Sequence, residues 1–156
     1  VFEMLTVFQN LELAMAQNKT TFALLNARLS GEQLDRINEG LEIIGLQDMQ
    51  HALAGKLSHG QKQWLEIGML LMQQPKLLML DEPVAGMTEE ETSKTAALVR
   101  NLRSPERSIM VIEHNMTFVE TIADRVTVLH EGLPIFEGQM ADARADAQVR
   151  QVYLGR

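Results

Sequence analysis

Apolar positions follow two different rhythms along this chain. In the first third they recur at helical spacing. Thr6 and Gln9 have the spacing of a capping box, and Leu11, Leu13, Ala14 and Met15 follow. Polar residues 18–21 should end that helix. Ser30 and Gln33 repeat the cap, Leu34, Ile37, Leu41 and Ile44 carry the period, and Gly45 is the expected stop. Residues 1–56 therefore read as helical, without a strand. A third box, Ser58 and Gln61, opens a helix through Trp64, Leu65, Ile67, Met69, Leu70 and Leu71. It should run to residue 74, before Pro75, and be buried, because it is apolar on most sides.

Beyond Pro75 short continuous apolar runs take over. Residues 76–80, 108–113 and 125–130 read as strands, the first two buried. Helices are expected between them, one from the Thr88–Glu91 box to residue 103 and a shorter one over 116–123. Gly132 suggests a hairpin into residues 134–137, and 139–155 should be mostly helical. This alternation predicts an α/β fold with a parallel sheet, and the helical stretch before it predicts a second subdomain.

Composition narrows the functional classes. The chain has 156 residues, enough for a real core, with 46% hydrophobic and 22% charged residues, as in ordinary globular proteins. A net charge of -7 argues against duplex nucleic acid as the main partner. No apolar run approaches the ~18 residues of a membrane span, and no secretion signal is visible. The absence of cysteine excludes disulfides and thiolate metal sites and suits a cytoplasmic protein.

Two stretches carry candidate chemistry. Leu57-Ser58-His59-Gly60-Gln61 starts a helix whose free N–H groups and dipole favour an anion, and Gly60 offers no side chain to block its approach. Residues 77–83, Leu-Leu-Met-Leu-Asp-Glu-Pro, end an apolar strand in adjacent carboxylates, at the end of a parallel strand where ligands bind. Asp81 suits Mg²⁺ held through water, and Glu82, one residue on, could orient a water molecule. Taken singly, the first pattern is a helix cap and the second a strand leaving a core.

Their order and spacing resemble the ATP-binding cassette (ABC) ATPases, with a P-loop NTPase-like parallel sheet and a helical subdomain. Leu57–Gln61 looks like the signature loop, residues 77–81 like the Walker B strand, and Glu82 like the general base. The resemblance implies ATP and Mg²⁺ as cofactors. It makes His114 the switch histidine that contacts the γ-phosphate. Ser58, His59, Gly60 and Gln61 would serve ATP held by a partner cassette, and Ala85, Gly86, Met87 and Thr88 would form the D-loop. Two departures stand out: His59 replaces the usual Gly of the signature, and Thr88 the usual Asp of the D-loop. Glu113 has no matching role. By the same resemblance, residues 1–56 are most of the helical subdomain, 57–131 the signature, Walker B and switch-histidine part, and 132–156 a hairpin and helical tail.

No Gly-x-x-x-x-Gly-Lys-[Ser/Thr] occurs; the only Gly-Lys pair, Gly55-Lys56, has Gln50 at the first Gly position and is followed by Leu57. With Val1 in place of Met, the expectation is the carboxyl-terminal part of a cassette, cut after the Q-loop. By itself it should be inactive and should leave an apolar sheet face open. Trp64–Met69, Pro83–Thr88 and Val152–Gly155 look most like the urea-importer ATPases, relatives of the branched-chain amino-acid importers. The implied partners are a second cassette, membrane permease subunits and, indirectly, a solute-binding protein, on the cytoplasmic face of the inner membrane. A cassette ATPase not linked to transport and a non-catalytic interaction module stay open as alternatives.

Overall fold

A computed structural model describes residues 1–15 and 29–154. The expected end of the first helix, at 18–21, lies outside the described residues. The chain forms two compact units, Val1–Ile112 and Glu113–Arg156.

In the first unit, α1 (Val7–Met15) starts on the expected box: Thr6 N–H donates to Gln9 Oε1 at 2.9 Å and Gln9 N–H to Thr6 Oγ1 at 3.1 Å. It buries Val7, Leu11 and Ala14, together with Asn10. A buried amide must be satisfied, and this one is. Asn10 Nδ2 donates to the carbonyls of Phe2 and Thr6, and its Oδ1 accepts from Phe2 N–H. The second helix, α2 (Gly31–Ile43), opens on the Ser30–Gln33 box. It ends as expected at Gly45, whose φ of 67° turns the chain. Leu46 N–H then reaches Leu41 O at 2.9 Å and Gly45 N–H reaches Glu42 O at 3.1 Å, closing a Schellman motif. Ile37, Leu41 and Ile44 are buried, whereas Leu34 lies 42% exposed, outside the packed stripe.

Helix α3 (His59–Leu71) is shorter and less buried than its composition predicts. It caps at Met72, and Gln74, at φ 51°, turns the chain ahead of Pro75. Gly60, Leu65, Ile67, Gly68 and Leu71 face inward, while Glu66 and Leu70 face solvent. Apolar residues around a helix do not ensure burial unless elements cover every side.

Strands β1 (Leu77–Asp81) and β2 (Ser108–Ile112) pair in parallel, Leu77 beside Ser108 and Asp81 beside Ile112. Helix α4 (Glu89–Asn101) connects them, as a parallel crossover requires. The two strands, read as buried, are covered on one face only, and the open apolar sheet face that was also expected is present among the described residues. Leu78 and Leu80 are buried, but Leu77, Met79, Met110 and Ile112 are each about half exposed (49–56%). One face of the pair is covered and the other is open among the described residues. The period of two puts Asp81 on the open face with Leu77 and Met79.

The second unit begins with α5 (Met116–Ile122), capped by Asn115 Oδ1 accepting from Phe118 N–H at 3.0 Å. Strands β3 (Val126–His130) and β4 (Leu133–Gly138) form an antiparallel hairpin. The strand expected over 125–130 thus pairs with its hairpin neighbour, not in parallel. Glu131 and Gly132 join the strands with positive φ at both positions, the twist a two-residue hairpin needs. Helix α6 (Met140–Ala145) is tied to α5 by Arg144 and Glu120, 2.7 Å apart. A last helical turn over Arg150–Leu154 lets Tyr153 Oη donate to Leu129 O.

Candidate functional site

Ser58 takes extended backbone, φ -62° and ψ 167°, just ahead of α3. Its Oγ accepts from Gln61 N–H at 3.2 Å, and Gln61 Oε1 accepts from Ser58 N–H at 2.9 Å. The expected cap is thus formed at the residue where an anion would meet the helix. Thr88 caps α4 in the same way with Glu91 as its return partner.

These two helix starts meet. Ser58 Oγ–H donates to Glu91 Oε1 at 3.1 Å. Glu91 Oε2 accepts from Thr88 N–H and from Thr88 Oγ1–H, each at 3.1 Å. His59 Nε2 lies 3.1 Å from Ala85 O. Because a carbonyl can only accept, His59 carries its proton on Nε2 in this contact. Deeper along the same pair of helices, Trp64 Nε1 donates to Thr95 Oγ1 at 2.8 Å, and Thr95 Oγ1 donates to Glu91 O.

Gly60 lies directly against this junction. A Cβ there would stand 2.6 Å from Glu91 Oε1 and 2.8 Å from its Cδ. The space beside Gly60, read from the sequence as room for phosphate, faces the Glu91 carboxylate. That carboxyl is held below the usual glutamate range, first by the Thr88 N–H. The Thr88 and Ser58 hydroxyls and the His59 charge add to this, against partial desolvation.

Asp81 and Glu82 stand together at the carboxyl end of β1, both exposed. Glu82 N–H donates to Ile112 O at 2.9 Å, extending the β1–β2 ladder by one bond. Yet Glu82 has φ 46°. A residue before proline ordinarily takes extended backbone, and a left-handed one is strained in a side-chain-bearing residue. The strand thus breaks at Glu82, and the alternation expected to separate it from Asp81 is replaced by a left-handed turn. Ala85 N–H to Glu82 O (3.1 Å) and Met87 N–H to Val84 O (3.2 Å) fold 82–87 tightly, with Gly86 at φ 70°.

Asp81 and Glu82 fit Mg²⁺, which takes one or two carboxylates and keeps several waters. Among the described residues no set of three His, Cys, Asp or Glu side chains is placed to hold a metal by itself. His114 belongs to the second unit and is exposed. Beside it the Glu113 side chain is only 2% exposed, and its Oε2 accepts from His114 N–H at 2.9 Å and Asn115 N–H at 3.0 Å.

The structure therefore brings Ser58, His59 and Gly60 to Ala85 and Thr88 and sets Asp81 beside Glu82. The sequence reading gave no part to two carboxylates that the structure ties to these segments, Glu91 beside Ser58 and Glu113 beside His114. Glu91 was legible only as the fourth residue of a cap, and Glu113 only as the end of an apolar run.

Comparison with known proteins shows the family and the fold. The family model described as ABC transporter matches residues 1–85, more than half of the chain, including Ser58, Gly60, Asp81 and Glu82. The chain belongs to the ABC transporter ATP-binding family. It is 36% identical to the high-affinity branched-chain amino acid transport ATP-binding protein LivG of Salmonella typhimurium, over 99% of this chain and 64% of that protein. It is 32% identical to the corresponding BraF of Pseudomonas aeruginosa, again over 99% and 64%. The chain thus spans about 64% of the length of these relatives. Among solved structures, an ATP-binding cassette of an ABC transporter in its ADP conformation is similar at a TM-score of 0.81. That likeness has 26% identity and covers 99% of this chain and 65% of that one. The fold is that of the ABC ATPase cassette, of the P-loop NTPase type.

Proposed function

We propose that this chain supplies the signature, Walker B and switch-histidine part of the ATP-hydrolysing subunit of an ABC importer. The observation that carries the reading is the Asp81–Glu82 pair at the end of a parallel strand, in one compact unit with the Ser58 helix start. Asp81 would hold Mg²⁺, and Glu82, placed by its left-handed turn, would orient the attacking water as general base. Bound Mg²⁺ supplies neutralisation of the charge on the phosphoryl oxygens. His114 contacts the γ-phosphate. Ser58, His59, Gly60 and Gln61 meet ATP carried by a second cassette, and Ala85, Gly86, Met87 and Thr88 face that partner. Residues 1–56 act as most of the helical subdomain, 57–131 as the catalytic part and 132–156 as the hairpin and tail.

The solute is small and polar, urea or a branched-chain amino acid. The names of LivG and BraF support the second, and the residues after the signature support the first. Permease subunits and a solute-binding protein complete the importer, with this subunit peripheral on the cytoplasmic face. No described helix is long and apolar enough to cross a membrane, which fits that position.

ATP hydrolysis by the protein at its relatives' length, P-loop included, tests the reading. Glu82→Gln should lower turnover by about 10²–10⁴-fold, the contribution of a positioned acid–base group. Residues 1–156 alone, containing no P-loop motif, should show no turnover. Equal turnover in the variant and the parent would refute the assignment of Glu82. Uptake of labelled leucine and urea by cells with and without the gene would decide the solute.

A further inference from the structure

One carboxylate reaches two helix starts. Glu91 Oε2 closes the Thr88 cap of its own helix, while Oε1 accepts the hydroxyl proton of Ser58, 33 positions earlier in the chain. The same two segments touch again through His59 Nε2 and Ala85 O, and a third time where Gly60 leaves room for the carboxylate. A glutamine can close a capping box equally well, as Gln33 and Gln61 do in this chain. A glutamine has only one acceptor oxygen, however, and a carboxylate has two. The second oxygen of Glu91 adds nothing that its own cap cannot obtain from an amide. Its use is the bond to Ser58.

We propose that Glu91 is a positioning residue for the phosphate-facing serine: it orients the Ser58 hydroxyl and ties the 58–61 helix start to the 85–88 turn, so that the two answer a bound nucleotide as one piece. The nucleotide in this statement rests on the ATPase reading above. A phosphate oxygen arriving at Ser58 competes with Glu91 for the same proton. A shift of Ser58 toward phosphate is thereby passed to Thr88 through the carboxylate they share.

The test uses Glu91→Gln and, approaching from the other side, Ser58→Ala, which leaves the Thr88 cap whole. Backbone amide resonances are recorded without nucleotide. In Glu91→Gln the amides of Gln61 and Lys62 should shift, while those of Gln33 and Leu34, in the matching box of α2, should not. In Ser58→Ala the amides of Thr88 and Glu91 should shift. Changes confined to 88–92 in the first variant and to 58–62 in the second would overturn the proposal. In the protein extended to its relatives' length, Glu91→Gln should lower kcat for ATP about 10-fold, the scale of one hydrogen bond to a charged group. KM should not rise, because a negative charge beside the phosphate seat has been removed. A wild-type kcat, or a loss lying wholly in KM, would overturn it as well. If the parent protein hydrolyses no ATP, or Glu82→Gln matches it, the ATPase reading fails. The resonance arm still decides the positioning role.

Discussion

Two helix starts in this chain share one recipe and serve different ends. Ser30–Gln33 and Ser58–Gln61 are both Ser-x-x-Gln boxes, each closed by reciprocal bonds of 2.9 and 3.2 Å. At the first, a Cβ added to Gly31 would meet nothing within 4 Å, whereas at the second one added to Gly60 would strike the Glu91 carboxylate. The first box ends a chain of causes: it satisfies N–H groups and starts α2. The second begins another, because its serine hydroxyl is also bonded to Glu91, the return partner in the cap of α4. A capping box is a local device, and what stands opposite it gives it a further use.

The largest effect that could break this comparison is on turnover. Ser58→Ala in the protein extended to its relatives' length should lower kcat/KM for ATP by about 10- to 100-fold, the range for a hydrogen bond to a charged group. Ser30→Ala should leave turnover unchanged. Both should lose about 1 kcal/mol in chemical denaturation, the usual effect of removing such a cap. Equal turnover losses would erase the distinction between the two boxes.

Glycine substitutions sharpen it further. Gly31→Ala meets open space in the first turn of a helix and should stabilise by up to about 1 kcal/mol. Gly60→Ala should fail to show that gain, because its methyl must displace the carboxylate from Ser58. Glu91→Ala in the same chain should restore it. A thermal melt of the two single variants and the double variant measures this. A full gain in Gly60→Ala alone would mean that the carboxylate moves aside freely.

The smallest effect is on pH dependence. Glu91 is held below its unfolded value, so its contribution to stability is complete above the unfolded glutamate range. It is lost as pH falls through the lowered folded value. The difference in stability between the parent and Glu91→Gln should therefore be largest near neutral pH and shrink on acidification below about pH 4.5. A difference that stays constant down that limb would show that the charge contributes nothing.

Much of the fold was open to reading from local chemistry. The Thr6, Ser30, Ser58 and Thr88 caps all form where their spacing put them. Gly45 stops α2, and the apolar runs at 77–81 and 108–112 are strands. An open apolar sheet face was expected, but not which residues would form it: Leu77, Met79, Met110 and Ile112 are as apolar as Leu78 and Leu80, yet only they stand open. An apolar run carries no label saying how many of its faces will be covered. The break at Glu82 was hidden for a related reason. The residue before a proline ordinarily favours extension, and only the bond to Ile112 O and the tight turn over 82–87 hold it left-handed.

The sequence by itself determined the local events: where each helix begins, where α2 ends, which residues form strands, and that Asp81 and Glu82 are neighbours. Each depends on contacts within a turn or two of chain, so residue type and spacing suffice. Only the tertiary structure decided that Glu91 reaches across to Ser58 and that its carboxylate fills the space beside Gly60. Those facts depend on which surfaces meet, and residues far apart in the chain meet only when packing has brought their elements together.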